Sequence, residues 1–519
     1  MQTSPEPYVS TEISPAARIV KALARIRFAR VLFVLLLTGV AVYDLKLLTR
    51  YSVPAGVDGY YYVLQTTAVL QRGTPYFDTG TPVVAYILAG FTFLTRNSVL
   101  TVKLTAVLLQ LLLCLGVFTL LREVIQSKWL ALLGATIAAI SGLRFFMISE
   151  FINNLAAVVF LLWTVWFLIR FVRTERSLFA IGGAVLFVAG LFTHRMAAVI
   201  VVGIAALAGL LYLFITQKSL WKWSAVALLV CLWFLPLILA AQQRFEPPFG
   251  LRGELSVAPR WPFDRFAFPE ELMLVFGGAL LVVLLFRFRD RFDNRLIFYF
   301  FGAVALWSLL VTLNPFLNPE RGWLSVAVRL RGLTYVQAAL VIPGLIWCAL
   351  QVRREFALYL LAAVAPLLLM SALAPLPHGM RSEVLAERQQ LNDVLPEART
   401  RLKQGAFVIA AHGDQFMITA VTGVVAQQTR PQTDQPEAIY WLIKKWANTE
   451  LLPADVVVRP DSTLTSTVFI EDAEMMTRLM RLDVYGRRQV LSANPHLASA
   501  YGELRRGPAA SLALAHYPK

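Results

Sequence analysis

The sequence contains little cysteine, and the positions of the few cysteines narrow the possible classes of protein. Only three of the 519 residues are cysteine, and Cys114, Cys231 and Cys348 all lie within apolar stretches. Three scattered thiols provide no disulfide framework, and no Cys-Xaa-Xaa-Cys pair offers a zinc site. A single thiol in apolar surroundings is usually a small core residue.

Charge is also scarce. Charged residues make up 15% of the chain, and the excess of basic over acidic residues gives a formal net charge of +16. Most Lys and Arg residues lie in short gaps between apolar stretches, which indicates membrane topology. No basic stripe runs beside stacking aromatic residues, so we expect no nucleic-acid partner.

Repeats and a cleavable leader are missing as well. The sequence shows no internal repeat of about 20–50 residues, and the inverted repeats with interrupted helices found in many transporters are not apparent. The polar residues 1–30 precede the first apolar stretch, and no small-residue cleavage site follows that stretch. We therefore expect the first apolar stretch to be a retained signal anchor.

Long apolar stretches are abundant. Hydrophobic residues make up 58% of the chain, compared with about 45–50% in soluble domains. They occur in stretches of about 18–22 residues, the length at which a helix spans the hydrocarbon core. We predict an α-helical polytopic membrane protein of about eleven spans: 31–48, 100–121, 130–147, 155–171, 178–192, 196–215, 224–240, 272–286, 296–313, 333–350 and 356–374. Residues 83–94 are apolar but too few to span, and we expect a helix at the membrane surface there.

The basic residues orient these spans. Arg25, Arg27 and Arg30 precede the first span, and every even-numbered span is followed by a short basic segment. By the positive-inside rule, residues 1–30 are then a cytoplasmic segment, 31–374 a transmembrane domain with outer loop 49–97, and 375–519 an extracytoplasmic, periplasmic domain. The protein would thus be integral to the plasma (inner) membrane.

Residues 375–519 are more polar and suggest a small soluble α/β domain. The apolar runs 406–411, 419–425, 455–458 and 467–470 predict strands, and the patterns at 383–404, 436–446 and 473–482 predict helices. A domain of roughly 140 residues is within the usual size range.

Asp58 is the first candidate for chemistry. It lies just beyond the first predicted span and is followed by Gly59 and by Tyr60, Tyr61 and Tyr62. One interpretation is a turn-forming Asp-Gly beside an aromatic belt at the membrane interface. The other is an acid or base that faces a substrate arriving from the membrane.

The order of motifs resembles the GT-C superfamily of polyprenyl-phosphate-dependent membrane glycosyltransferases. It is most similar to the branch of protein O-mannosyltransferases, lipid A aminoarabinose transferases and Rgt-type lipopolysaccharide galacturonosyltransferases. In that family an Asp opens the first outer loop, followed by a Gly-Xaa-Xaa-Tyr-Xaa-Asp segment and a surface helix that contains proline. Asp58, Gly73, Tyr76, Asp78 and the stretch 82–86 occupy those positions here. Asp78 also suits a simple loop-capping role.

The resemblance implies that Asp58 is the catalytic base that deprotonates the acceptor hydroxyl. The family usually has Glu after this Asp, whereas Gly59 stands there in this chain. An acidic residue is also usual where the fourth span begins. Either Glu150 takes that role from one turn earlier, or Asn153 and Asn154 replace it as neutral hydrogen-bond donors; helix capping is the structural alternative.

Two further segments extend the resemblance to phosphate binding. Thr193-His194-Arg195 stands where the family often has a lysine, and an arginine there can bind a phosphate bidentately. A snorkelling arginine is the alternative. Before the tenth span, Arg329 and Arg331 precede Tyr335, where the family has Arg-Tyr followed by prolines. The segment 411–416, with its His-Gly pair, resembles a segment in the soluble domains of some members.

The resemblance implies transfer of a sugar from a polyprenyl-phosphate donor to a lipid or glycan acceptor at the outer face. A polytopic transporter or lipid flippase, and a surface-polysaccharide polymerase or ligase, are the alternatives. Some superfamily members bind a divalent cation, and acidic side chains here could supply oxygen ligands, but the spacing predicts no metal site. The expected catalytic residues are Asp58 and Glu150. The expected substrate- and phosphate-binding residues are Tyr60, Tyr61, Asp78, Tyr86, Asn153, Asn154, His194, Arg195, Arg329, Arg331 and Tyr335.

Overall fold

The structure is a computed structural model that describes residues 15–77, 83–216, 269–289, 295–314, 330, 332–427, 436–447, 456–460, 465–482, 484–494 and 497. Up to residue 372 the described chain is helical. These helices are α1 Pro15–Leu48, α2 Gly59–Arg72, α3 Val83–Thr95, α4 Ser98–Ile125, α5 Lys128–Ile140, α6 Leu143–Glu150, α7 Ile152–Thr174, α8 Ser177–Leu191, α9 Arg195–Thr216, α10 Pro269–Arg287, α11 Arg295–Leu313, α12 Thr334–Val352 and α13 Arg354–Ala372.

Within the described residues, seven helices are long and apolar enough to cross a membrane. They are Phe28–Leu48 of α1, and α4, α7, α10, α11, α12 and α13. The bent pair α5 and α6 adds an eighth if it is one span, whereas α3, α8 and Ile200–Thr216 are shorter apolar helices. The protein is therefore an α-helical polytopic membrane protein. The count of about eleven stays a prediction, and the predicted span 224–240 lies outside the described residues.

The predicted third span, 130–147, is broken. Its two halves, α5 and α6, meet at an angle of 61°. At the break, the Gly142 N–H donates to the Ser371 carbonyl of α13 at 3.1 Å, and a Cβ at Gly142 would lie 2.6 Å from the Ala374 Cβ. The end of α13 thus accepts the hydrogen bond of the Gly142 N–H at the break. Because it passes so close, only glycine fits at this position.

A buried ion pair joins α1 to α6. Arg144 donates to Asp44 at 2.9 Å, and the guanidinium also lies 4.3 Å from the Phe145 ring centroid. Both charged side chains are buried. Charges inside a helical bundle are costly unless paired, so each neutralises the other. Arg144 is therefore already partnered and is not a spare cation for a ligand.

The C-terminal region, defined here as residues 375–519, contains the β-structure. Its described elements are α14 Ser382–Arg401, β1 Ala406–Ile409, α15 Asp414–Thr422, β2 Val425–Gln427, β3 Ala438–Ala447, β4 Val456–Pro460, β5 Thr465–Glu471, α16 Asp472–Arg481 and α17 Val484–Ala493. The five strands form one mixed sheet in the order β2-β1-β3-β5-β4. β1 pairs parallel with β2 and β3, whereas β5 pairs antiparallel with β3 and β4.

Two predicted elements of this region have the opposite type. Residues 419–425, predicted as a strand, lie mostly in α15, and residues 436–446, predicted as a helix, form the central strand β3. A central strand buried on both faces is a continuous apolar run, as in Ile439–Ile443, and periodicity does not separate it from a buried helix. The other predicted strands and helices of the region are confirmed within a few residues.

Candidate active site

Asp58 lies at the end of the loop that joins α1 to α2. Its backbone carbonyl accepts the N–H groups of Tyr61 at 3.0 Å and Tyr62 at 3.4 Å, which starts α2. Its side chain makes no capping hydrogen bond to the helix. Instead, Asp58 Oδ1 lies 2.9 Å from His412 Nε2, and the Asp58 side chain is 19% exposed. One carboxylate oxygen of Asp58 is therefore held by His412, and the side chain is partly accessible to a ligand.

Glu150, the last residue of α6, holds the backbone of this loop. Its Oε2 accepts the N–H of Val57 at 2.6 Å and of Asp58 at 3.2 Å, and the residue is only 2% exposed. Its carbonyl accepts the Tyr62 hydroxyl at 3.3 Å. A carboxylate is costly to bury without donors, and here two backbone donors come from the segment that carries Asp58. The structure thus brings together the two predicted catalytic carboxylates.

Arg388 of α14 binds the backbone carbonyls of the same loop. Its guanidinium donates to the carbonyl of Gly56 and, at 3.0 Å, to the carbonyl of Val57. Arg388 is buried. The loop therefore gives its N–H groups to an acid from the helical domain and its carbonyls to an arginine from the C-terminal region. This arrangement fixes the backbone from which Asp58 projects.

Glycines allow the three segments to meet at this point. Gly56 has φ +80°, and a Cβ there would overlap the carbonyl of Ser149. A Cβ at Gly379 would overlap Glu150 Oε1 and lie 2.9 Å from Gly56 Cα. The Gly56 N–H also donates to the Gly379 carbonyl at 3.1 Å. The loop, the end of α6 and the start of the C-terminal region therefore contact one another backbone to backbone.

Further contacts join α14 to the loop and to the start of α2. Gln389 Oε1 accepts the Ser52 N–H at 3.0 Å and the Ser52 hydroxyl at 2.6 Å. The Tyr60 hydroxyl donates to Asn392 Oδ1, and burial raises the pKa of Tyr60 above its ordinary value. Gln389 and Asn392 are three residues apart and lie on one helix face.

Aromatic side chains line the next part of the site. The Tyr61 ring stacks on Phe77 at 5.8 Å and meets Phe416 of α15 edge-on at 5.4 Å. Its hydroxyl accepts from Gln65 at 3.0 Å. Tyr86 of α3 is exposed and donates to the Gly73 carbonyl at 3.2 Å. Tyr61 of α2 thus contacts the C-terminal region through Phe416, and its N–H donates to the Asp58 carbonyl.

Other predicted ligand residues are placed as follows. The Asn153 N–H donates to the Tyr62 hydroxyl at 3.4 Å, and Asn154 is buried in α7. His194 precedes α9 and is half-buried, while Arg195 begins α9 and its side chain is not among those described. Tyr335 is fully buried in α12 and its hydroxyl donates to Gln110 of α4 at 3.3 Å. Asp78, Arg329 and Arg331 lie outside the described residues.

Sequence reasoning did not single out Arg388 or predict a role for His412. His412 belongs to the His-Gly segment that resembled the soluble domains of some family members, and this was the available signal. Arg388 had none, because an arginine on a polar helix is ordinary in sequence. Both reach the loop across more than 300 residues of chain.

The carboxylates do not form a described metal site. Within the part of the chain that the structure describes, no group of three or more His, Cys, Asp or Glu side chains is placed to hold a metal ion. Glu150 Oε2 is already occupied by backbone N–H groups, and Asp58 Oδ1 by His412.

Comparison with known families finds a match over part of the chain. Residues 79–240, less than a third of the chain, match the family model of dolichyl-phosphate-mannose-protein mannosyltransferase. This matched stretch begins after Asp58 and ends before the C-terminal region. No curated protein shows significant similarity to the chain.

Several solved structures are similar at low identity. An oligosaccharyltransferase from Archaeoglobus fulgidus has 15% identity and a TM-score of 0.46, with 76% of this chain and 64% of that chain covered. The same enzyme with zinc and sulfate gives a TM-score of 0.47, with 75% and 62% covered. ArnT from Cupriavidus metallidurans, bound to undecaprenyl phosphate, has 13% identity and a TM-score of 0.44, with 85% and 97% covered. The chain spans less than two thirds of the archaeal enzyme.

Proposed function

We propose that this chain, a membrane protein with a segment of GT-C mannosyltransferase type, transfers a sugar from a polyprenyl-phosphate donor to a hydroxyl of a lipid or glycan acceptor. The family match supports a glycosyltransferase. The observation that carries the mechanism is the Asp58 carboxylate, which is partly exposed on a loop fixed by Glu150 and Arg388.

In this proposal Asp58 is the general base. It takes the proton of the acceptor hydroxyl while that oxygen attacks the anomeric carbon of the donor sugar. The bond between the anomeric carbon and the phosphate oxygen breaks, and polyprenyl phosphate leaves with the electron pair. General-base assistance of this kind contributes typically about 10²–10⁴-fold. Glu150 and Arg388 do not touch the reacting atoms and serve to position Asp58.

The charge distribution supports an extracytoplasmic site. Basic residues occur at the opposite end of the helices from Asp58, as the positive-inside rule requires of the cytoplasmic side. They are Arg122, Lys128, Arg170, Arg173, Arg176, Arg353 and Arg354. Asp58, the 49–97 loop and the C-terminal region would then face the periplasm, and residues 1–30 the cytoplasm.

The leaving phosphate needs cationic donors. Arg144 is committed to Asp44, so we assign this role to Arg195, Arg329 and Arg331, as the sequence resemblance implies. The developing negative charge of polyprenyl phosphate would be stabilised there, and the lipid tail would remain in the bilayer.

The decisive test is Asp58→Asn, which keeps the shape of the side chain and removes the base. Purified protein in vesicles is given polyprenyl-phosphate hexose and pentose donors, and transfer to added lipid acceptors is measured. We expect a loss of at least about 100-fold. Glu383→Gln, an acid-to-amide change at an exposed site on α14, should keep full activity. Full transfer by folded Asp58→Asn would contradict the proposal.

A further inference from the structure

His412 provides the side-chain contact to the carboxylate of Asp58, although 354 residues separate the two in sequence. We propose that His412 is a positioning residue for Asp58, so that the C-terminal region completes the active site. His412 Nε2–H donates to Asp58 Oδ1 and leaves Oδ2 for the acceptor hydroxyl. The inference rests on the proposed role of Asp58 as base and adds a residue outside the helical domain.

The fold delivers His412 from the end of a parallel strand. β1 runs parallel to both of its neighbours, and the chain leaves its carboxyl end through Ala410 and His412 to enter α15. The Ala410 N–H donates to the Gln427 carbonyl at 2.9 Å, which fixes the exit of the strand. Ligand-contacting residues in α/β sheets are commonly found at this position.

Gly413 allows the histidine segment to reach the loop. Its φ is +90°, and a Cβ there would lie 2.6 Å from Arg388 Nη2, 2.7 Å from Val57 Cγ1 and 2.8 Å from the Val57 carbonyl. A non-glycine residue would have to push the histidine segment away from the loop. The approach of His412 to Asp58 thus depends on the close packing of Gly413 against Val57 and Arg388.

The start of α15 is also anchored by charge. Lys444 of β3 contacts Asp414 at 3.0 Å and Glu387 of α14 at 2.8 Å. Burial alone would lower the pKa of Lys444, but these two carboxylates outweigh it and raise the pKa. Lys444 is therefore charged at neutral pH and connects β3, α14 and the start of α15, two residues after His412.

The chemistry of the pair fixes the direction of the hydrogen bond. An ionised carboxylate has only acceptors, so His412 Nε2 must carry the hydrogen when Asp58 is ready to act as base. The Phe416 ring meets the imidazole edge-on at 5.2 Å and limits its rotation. The other charged groups around the pair are Glu150 and Arg388, on the backbone of the loop, and Asp414, already paired with Lys444.

In the transfer step His412 gains and loses no proton. The hydroxyl proton moves to Asp58 Oδ2 as the new glycosidic bond forms and the bond to phosphate breaks. Asp58 later releases that proton to water. The role of His412 is to orient the carboxylate through its hydrogen bond to Oδ1.

The test compares His412→Ala and His412→Gln with a control, His378→Gln. The control is the same histidine-to-glutamine change at an exposed position of the C-terminal region. The kcat and donor KM of transfer are measured for each variant, and folding is checked by thermal unfolding. We expect His412→Ala to lower kcat about 10- to 100-fold, the size of one hydrogen bond to a charged group, with little change in donor KM.

Glutamine keeps an N–H donor at a similar reach, so His412→Gln should recover part of kcat. His378→Gln should match the parent. If His412→Ala keeps the parent kcat while Asp58→Asn is inactive, the inference on His412 fails and the proposed function stands. If both His412 variants are as inactive as Asp58→Asn, His412 is itself the base and the positioning role is wrong. If Asp58→Asn is fully active, both proposals fail.

Discussion

Arg388 tests whether the C-terminal region holds the Asp58 loop in its working geometry. Arg388→Met keeps the aliphatic volume of the side chain but removes the donors to the carbonyls of Gly56 and Val57. The residue is 5% exposed, so water does not readily replace the guanidinium. We expect the variant to lose activity because the loop will no longer be fixed on its carbonyl side.

The size of the effect follows from the number of carbonyls left without a donor. A buried acceptor without a partner costs about 1–3 kcal/mol; the bond to the Gly56 carbonyl is buried and that to the Val57 carbonyl partly buried, so the loss is at least about 1–3 kcal/mol. If about 2 kcal/mol of this cost is added to the activation free energy because Asp58 is displaced, kcat falls roughly 30-fold. The remainder should appear as lower stability of the contact between the C-terminal region and the helices.

The assay is sugar transfer in vesicles, combined with thermal unfolding in detergent. Arg399→Met, the same substitution at an exposed position on α14, is the matched control and should change stability by less than about 0.5 kcal/mol. An Arg388→Met protein that equals Arg399→Met in both kcat and unfolding temperature would refute the view that Arg388 holds the loop.

Three further changes test neighbouring contacts. Gly413→Ala should lower the unfolding temperature and kcat more than Gly423→Ala, since both glycines have positive φ but only a Cβ at Gly413 meets other atoms; equal effects would remove the argument from close packing. Glu150→Leu removes the acceptor of two loop N–H groups, worth about 1 kcal/mol each, and should lower kcat roughly 30-fold; unchanged transfer would show that Glu150 does not position the loop. The pKa of Lys444 is raised in the folded protein, so its stabilisation is complete below the unfolded value of 10.5 and is lost as pH rises above it. Lys444→Met should therefore flatten the alkaline fall of unfolding temperature against pH, and an unaltered curve would count against the Lys444 network.

The membrane helices could be predicted because their signal is local. A long apolar run must satisfy its own backbone hydrogen bonds within the bilayer, and composition alone reveals it. The break between α5 and α6 was not predictable in the same way. It depends on Ser371 and Ala374, which come more than 200 residues later and approach Gly142 only in the folded bundle.

The same distinction explains the C-terminal region. Strands β1, β4 and β5 were predicted from short apolar runs, whereas β3 was predicted as a helix because its apolar residues do not alternate. Its position in the centre of the sheet decides its structure, and a single strand does not encode its neighbours. The local apolar pattern of a segment is therefore insufficient to predict the order of strands in the sheet.

Within the site, Asp58 and Glu150 were both predicted, and the structure brings them together through the backbone of the loop. His412 and Arg388 had to be found from the structure, because their contacts join distant parts of the chain. The phosphate-binding roles of Arg195, Arg329 and Arg331 stay predictions.

The ion pair between Asp44 and Arg144 bears on how the protein is assembled during synthesis. Asp44 enters the membrane with the first helix, and its partner is 100 residues further along the chain. Asp44 lies one turn from the end of the first helix, so without a partner it costs up to about 2.5–3.5 kcal/mol, the value for an aspartate at the helix centre on insertion scales. We therefore expect α1 to remain shallow, or beside the translocation channel, until α6 emerges. The final depth of the first helix would then be decided by a segment that is made after it.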